Sequence, residues 1–180
     1  MTPLHTFTLI NLIGGTAVLT SYVVVLAFYP DLRSDFWGQI NGGLRIIFTG
    51  SMLLAAAGYL LFLYWTVFTI GDNTSNSQWL VESHWPGVLV GMFLTFSTIW
   101  MPLTAALLKT GNESLWISIV VILWAVAISL WALFILVIIH YWNDASWTSF
   151  LATAGLFYIA LHCTILDAIV WVNRFPRTSP

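Results

Sequence analysis

The chain has 180 residues, of which 59% are hydrophobic and only 7% are charged, whereas a typical soluble domain is about 25% charged. Such a composition excludes an ordinary water-exposed surface and favours a surface that faces lipid. The formal net charge of -2 and the lack of a basic patch in the sequence exclude nucleic acid as a partner. The single cysteine, Cys163, leaves no internal disulfide and no Cys/His spacing for zinc.

Five apolar stretches are long enough to cross the hydrocarbon core of a bilayer, which needs roughly 20 residues per helix. They are residues 7–29, 44–70, 87–108, 115–141 and 148–172. Turn-forming Gly, Asn, Asp and Pro residues separate them, and the loops are short. The sequence therefore predicts an all-α integral membrane protein that forms one domain over residues 1–180, a bundle of five transmembrane helices.

The basic residues indicate how these spans are oriented. With five spans, all of them fall on one side of the membrane, in the first loop, the third loop and the C-terminal tail: Arg33, Arg45, Lys109, Arg174 and Arg177. The positive-inside rule makes that side cytoplasmic. We therefore expect a multi-pass membrane protein with its N-terminus outside and its C-terminus in the cytoplasm, in a membrane that the sequence leaves unidentified.

Small residues are spaced for close helix contact, which must replace the hydrophobic effect between helices in lipid. Gly87 and Gly91 form such a pair on the third span. On the second span small residues recur every seven positions, at Gly43, Gly50 and Ala57. We interpret these strips as packing surfaces within the bundle, with a homo-oligomer interface as the alternative. Leu94, on the third span, is expected to face lipid.

The fifth span carries two ionisable residues inside the predicted membrane region. An ionised carboxylate there costs a few kcal/mol, so His162 and Asp167 are expected to face protein or water. Five positions on a regular α-helix correspond to about 140°, which predicts that these two side chains do not share a face. Tyr158 shares the face of His162. Arg45, which begins the second span on the cytoplasmic side, is the expected ion partner of Asp167, with a bound cation as the alternative.

Pro102 lies inside the third span, where its ring removes one backbone hydrogen bond and frees the carbonyl of Thr98. Thr98 lies on the same helix face and can re-satisfy that backbone. The interpretations are an ordinary proline kink, or a hinge or cavity wall to which Thr98 contributes.

Acidic and histidine residues at the external ends of the spans form a weak candidate metal site. His140 and Asp144 are four residues apart, a spacing that suits two ligands of one metal ion on a helix. Glu82 and His84 are available to complete the set. Polar residues are also expected at span ends, which favours the simpler interpretation of solvated side chains. The sequence indicates no particular cofactor.

The sequence contains no Walker motif, nucleophile elbow or HExxH motif, and it identifies no family. The leading hypothesis is a small polytopic membrane protein that binds or moves a small apolar or weakly polar ligand within the bundle. The candidate polar contacts are His162, Asp167, Tyr158, Thr98 and Arg45. One alternative is a non-catalytic accessory subunit of a larger membrane complex, and another is a small membrane enzyme that uses His162 as acid or base. The lipid bilayer is the expected partner, with association to other membrane subunits left open.

Overall fold

The computed structural model describes residues 2–69, 83–141 and 146–176, and in these ranges the chain is helical without strands. Five helices are long and apolar enough to cross a membrane. They are α1 (Pro3–Phe28), α2 (Gly42–Tyr64, continued by a π-helical turn, Trp65–Thr69), α3 (Trp85–Thr110), α4 (Glu113–Tyr141) and α5. The last helix is α-helical over Trp147–His162, π-helical over Cys163–Trp171 and closes with the turn Val172–Arg174.

Capping residues extend the helices beyond the apolar stretches. Helix α1 begins at Pro3 because proline is tolerated in a first helical turn, and the side chain of Thr2 accepts a hydrogen bond from the backbone N–H of His5. Helix α5 begins one residue after Ser146, whose hydroxyl accepts from the N–H of Ser149 at 3.1 Å. Helix α3 ends at Thr110 and is capped by Gly111. Gly111 has a φ of 61°, a left-handed conformation that glycine adopts without strain.

The helices do not pack in chain order. Helix α3 makes extensive contacts with both α1 and α4, whereas α2 packs mainly on α5, and α4 also contacts α5. Helices α1 and α2 touch through the rings of Phe7 and Phe62 and through a hydrogen bond from the Tyr59 hydroxyl to Asn11. The neighbour order is therefore α1, α3, α4, α5 and α2, and this order leaves room between α1, α2, α3 and α5.

Helices α2 and α5 approach each other most closely at a pair of glycines. A Cβ built on Gly58 would lie 2.8 Å from the Cα of Gly155, and a Cβ built on Gly155 would clash with the backbone of Gly58. Any larger residue at either position would therefore force the two helices apart. The small residues singled out from the sequence on α2 do not make this contact. Both Gly43 and Gly50 face open space, and Ala57 is exposed. The expectation that this strip packs within the bundle is wrong for these three positions.

The expectation that Leu94 faces lipid is also wrong. Leu94 is only 5% exposed, and its side chain lies against Gly14 of α1, where an added Cβ would be 2.8 Å from Leu94 Cδ1. By contrast, a Cβ added at Gly91 would meet Ile10 at an ordinary 3.7 Å. The closest packing between α1 and α3 is therefore a leucine against a glycine, a pairing that spacing on one helix does not reveal.

One end of the bundle gathers four basic residues, Arg33, Arg45, Lys109 and Arg174, and is called the basic end below. There the Lys109 ammonium lies 3.6 Å from the ring centroid of Tyr29. The loop between α1 and α2 is fastened to the end of α5, because the N–H of Gln39 donates to the carbonyl of Arg174 at 2.9 Å. The indole N–H of Trp171 donates to the carbonyl of Phe36 at 2.9 Å. These two hydrogen bonds hold the first loop against the end of α5 at the basic end of the bundle.

We predict that Gly155→Ala destabilises the protein by about 1–3 kcal/mol, the usual cost of overpacking, because the new Cβ would meet the backbone of Gly58. The matched control is Gly50→Ala, which adds the same methyl group where no atom lies within 4 Å. Replacing a helix-interior glycine by alanine at such an open site is expected to stabilise by about 0.5–1 kcal/mol. The measurement is the free energy of unfolding in detergent micelles, and equal effects of the two substitutions would contradict the close contact.

Candidate functional site

A cavity of about 360 Å³ lies inside the bundle, between its middle and the basic end, and all five helices contribute to its wall. Most lining residues are apolar. The polar or ionisable ones are Tyr22, Arg33, Ser97, His162, Cys163 and Asp167, together with the indoles of Trp37, Trp100 and Trp171. The cavity therefore combines a large apolar surface with a small number of polar groups, four of which come from α5.

The π-helical part of α5 brings His162 and Asp167 together. The Nε2 atom of His162 lies 3.6 Å from Oδ2 of Asp167, so the prediction that these residues do not share a face is wrong. The physical reason is the helix type, because the i→i+5 hydrogen bonds of a π-helix place residues five apart almost above one another. The π-helical segment begins at Cys163, immediately after His162. Both side chains line the cavity.

A serine of α2 completes a polar network with two residues of α5. The Ser51 hydroxyl lies 2.8 Å from Nδ1 of His162 and 2.9 Å from the hydroxyl of Tyr158. Tyr158 and His162 are four residues apart in the α-helical part of α5, so the sequence pattern placed them on one face. Ser51 was not among the candidate site residues identified from the sequence. Its seven-residue spacing from Gly58, which puts both on one face of α2, is the signal that could have identified it.

Two of the residues predicted from the sequence lie away from this network. Arg45 is exposed and its guanidinium carbon lies 4.6 Å from the ring centroid of Trp37. The ion pair of Asp167 in the described part of the chain is with His162, so the expected pairing of Asp167 with Arg45 is wrong. A planar guanidinium stacks favourably on an indole at the membrane surface, which gives Arg45 a partner closer to water.

Thr98 occupies a different position from the one expected for a ligand contact. Its hydroxyl donates to the carbonyl of Leu94 at 2.8 Å, one turn earlier on α3. The polar residue that α3 contributes to the cavity wall is its neighbour Ser97. The two side chains point in different directions because consecutive residues on an α-helix are separated by about 100°.

An aromatic wall runs along the basic-end half of the cavity. The ring of Trp100 lies between Tyr22 and Trp171, with centroid distances of 5.8 Å and 5.7 Å. The Trp100 Nε1 atom is fully buried and, among the described residues, has no hydrogen-bond partner. A buried N–H without an acceptor is costly, and because Nε1 itself is inaccessible, a shift of the indole would be needed to bring this donor to a bound molecule.

The weak metal candidates fall mostly outside the described part of the chain. Glu82 and Asp144 lie outside the described residues, as does the side chain of His140, and His84 is exposed just before α3. Among the residues that are described, no cluster of three metal-ligating side chains occurs. The weak candidate metal site at the end opposite the basic end, where the sequence favours solvated side chains, therefore stays a hypothesis.

The network predicts energetic coupling between α2 and α5. Ser51→Ala and Tyr158→Phe remove two ends of the same hydrogen bond, so the double variant should lose less stability than the sum of the single variants. Cycles of this kind in membrane proteins average about 0.6 kcal/mol. The control pairs Ser51→Ala with Tyr59→Phe, because Tyr59 bonds to Asn11 in a separate network, and this pair should be additive. Strict additivity in both cycles, measured as free energies of unfolding, would contradict the network.

The chain matches no protein-family model, no curated protein and no solved structure. Its site is consequently defined by its own geometry. That geometry is a mainly apolar cavity to which the α-to-π junction of α5 contributes His162, Cys163 and Asp167.

Proposed function

We propose that the protein binds a small apolar or weakly polar ligand in the cavity between its helices. The observation that carries this proposal is the cavity itself, which reaches both His162 and Asp167. Ionisable residues inside a membrane are costly and are usually tied to function. Here they line a space of about 360 Å³, within the range of roughly 300–1,000 Å³ typical of small-molecule sites.

The chemistry of the wall supports a ligand with a large apolar part. Ligand sites are mostly apolar, with a few polar groups that fix orientation. The indole N–H of Trp100 is inaccessible and has no acceptor among the described residues, so a shift of this ring would offer a donor to a hydroxyl, ether or carbonyl oxygen. Ser97, on the same helix, adds a hydroxyl to the wall. A weakly polar molecule with at least one oxygen fits this set better than a pure hydrocarbon.

One observation favours a second function, an enzyme in which His162 acts as general base. A serine hydroxyl at 2.8 Å from Nδ1 of His162 and a carboxylate oxygen at 3.6 Å from its Nε2 resemble the nucleophile, base and orienting acid of hydrolases. Against it, Ser51 is not among the cavity-lining residues, and its hydroxyl also bonds Tyr158.

A fluorophosphonate probe separates the two functions. Ligand binding alone predicts that Ser51 stays unmodified, whereas modification that is lost in His162→Gln would favour the enzyme.

We also propose that the basic end faces the cytoplasm, which places the N-terminus outside. The positive-inside rule supports this orientation, because the four basic residues lie at the same end. The contacts of Lys109 with Tyr29 and of Gln39 with Arg174 hold the elements of that end together. In this orientation the cavity lies in the cytoplasmic half of the bundle.

The orientation predicts opposite labelling of two introduced cysteines. On a Cys163→Ala background, a membrane-impermeant maleimide should label Ser77→Cys in intact cells, whereas Lys109→Cys should be labelled only after the membrane is opened. Labelling of both positions from the same side would contradict five spans. If each cysteine is labelled from the side opposite to the one predicted, the result agrees with five spans but contradicts the orientation.

Cys163 tests the cavity directly because it is the only cysteine and lies on the wall. N-ethylmaleimide is itself a small, weakly polar molecule, and we predict that it alkylates Cys163 in the folded protein with a rate that saturates with concentration. Ser97→Phe places a ring in the cavity and should slow alkylation by about tenfold, equivalent to about 1.4 kcal/mol.

The matched control is Ser118→Phe, which adds the same ring at an exposed position of α4 and should leave the rate unchanged. Intact-mass spectrometry measures the rate. A folded protein whose Cys163 does not react, or reacts equally fast in both phenylalanine variants, would contradict binding in the cavity.

A further inference from the structure

We infer that the cavity is selective for a lipophilic organic cation, whose ammonium group lies beside Asp167 and whose apolar body extends towards the middle of the bundle. This inference rests on the proposed ligand-binding function and names the class of its ligand. Three features of the cavity carry it: the direction in which its polarity changes, the weak partners of the Asp167 carboxylate and the aromatic wall next to that carboxylate.

The polarity of the cavity changes along the helix axes. Going along α5 towards the basic end, the lining residues run from Ile159 through His162 and Cys163 to Asp167 and Trp171. On α1, α3 and the first loop the polar lining residues also lie towards the basic end, interspersed with apolar ones, whereas the lining residues of α2 and α4 are all apolar. The lining residues of these four helices farther from the basic end are apolar: Val18, Ala55, Ala56, Phe93, Leu94 and Val126. An amphiphilic ligand therefore fits in one direction, with its polar head towards the basic end.

Among the residues that the structure describes, the carboxylate of Asp167 has no strong partner. Its side chain is 30% exposed, and the 3.6 Å that separate it from His162 Nε2 exceed normal hydrogen-bond length. Its other close neighbour is the weakly polar thiol of Cys163. An intramembrane carboxylate of this kind is stabilised by a cation, and Arg45 is engaged elsewhere, over Trp37.

Arg33, the basic residue on the cavity wall, does not supply this charge. Its Nε and one terminal nitrogen both donate to the carbonyl of Leu26, at 3.0 Å and 2.9 Å. That carbonyl belongs to the last turn of α1, where backbone acceptors lack helical partners. The guanidinium therefore caps α1 at the exposed end of the cavity.

The aromatic wall suits an ammonium group. Tyr22, Trp100 and Trp171 line the same half of the cavity as Asp167, and their rings follow one another at 5.8 Å and 5.7 Å. A cation within about 6 Å of an aromatic centroid is attracted by the ring quadrupole, most strongly when water is excluded. The N–H of Trp100 has no acceptor among the described residues but is inaccessible from the cavity, so a shift of the indole would be needed for it to donate to a ligand oxygen. The carboxylate and the aromatic rings together select an alkylammonium group attached to an apolar body, and an oxygen on that body would suit the Trp100 donor.

Three matched probes test the charge of the head group. The first is phenoxypropyl-trimethylammonium. The second probe is the neutral analogue of the first, in which a quaternary carbon replaces the ammonium nitrogen. The third is the analogous phenyl ether in which a dimethylcarbinol group replaces the whole trimethylammonium group. All three share the aromatic ring and the ether oxygen and differ only in the head. Their affinities follow from protection of Cys163 against N-ethylmaleimide in nonionic detergent.

We expect the ammonium compound to protect Cys163 with an affinity at least about tenfold higher than either neutral compound, a difference of about 1.4 kcal/mol. Asp167→Asn should abolish this preference. Asp31→Asn, which removes an exposed carboxylate of the first loop at the basic end, should preserve it. Equal or better protection by a neutral compound, or no protection by any of the three, would overturn the inference.

A second measurement needs only the wild-type chain, in case Asp167→Asn does not fold. A methanethiosulfonate that carries a trimethylammonium group should modify Cys163 faster than one that carries a sulfonate, after both rates are divided by those for a free thiol in the same detergent. An equal or inverted ratio would overturn the preference for a cation. If N-ethylmaleimide still enters the cavity and Ser97→Phe still blocks it, that result contradicts only the ligand class and leaves the ligand-binding function standing.

Discussion

The change from α-helical to π-helical geometry at Cys163 is the feature on which the site depends. A regular helix would separate His162 from Asp167 by about 140° and a rise of about 7.5 Å, and the carboxylate would leave the face of the imidazole. The wider turn over Cys163–Trp171 instead places the two side chains 3.6 Å apart on the cavity wall. It also sets the position of Trp171, whose indole fastens the end of α5 to the first loop. π-helical turns are uncommon and occur frequently at functional sites, which agrees with a segment that places Cys163, Asp167 and Trp171 on the cavity wall.

The site also depends on the close approach of α2 to α5. In lipid, helices gain little from burying apolar side chains against each other, so contact relies on small residues and hydrogen bonds. Gly58 and Gly155 allow the two backbones to touch, and this contact brings the hydroxyl of Ser51 within 2.8 Å of His162. The imidazole is thereby held between Ser51 and Asp167. Orientation of this ring by two neighbours is what either a ligand contact or a general base requires.

Much of the architecture follows from the sequence because it rests on average properties of long segments. Five apolar stretches of sufficient length predict five helices, and the structure has five helices long and apolar enough to cross a membrane. The common face of Tyr158 and His162 also follows from the regular period of an α-helix. Thr2 and Pro3, which extend α1 beyond its apolar stretch, carry recognisable capping signals.

The details of the site were less predictable because they depend on choices between competing local partners. The π-helical register of α5 has no simple sequence pattern, so the relation of His162 to Asp167 was predicted wrongly. Arg45 had a carboxylate and an indole as candidate partners, and it lies over the indole of Trp37. Leu94 resembles any lipid-facing leucine until Gly14 on α1 is known to lie opposite it. Cavity shape depends on all of these contacts together.

The most direct test of this account is the distance between the imidazole of His162 and the carboxyl group of Asp167 in the protein in lipid bilayers. Solid-state NMR with nitrogen-labelled histidine and carbon-labelled aspartate measures it through dipolar coupling. The Asp167→Asn variant identifies the signal, because asparagine does not carry the label. The account predicts a weak but measurable coupling that disappears in this variant, because an N–O separation of 3.6 Å places the labelled carboxyl carbon only slightly farther from the imidazole nitrogen. A coupling spectrum that is the same in both proteins would show a regular α-helix at this position and would contradict the π-helical site.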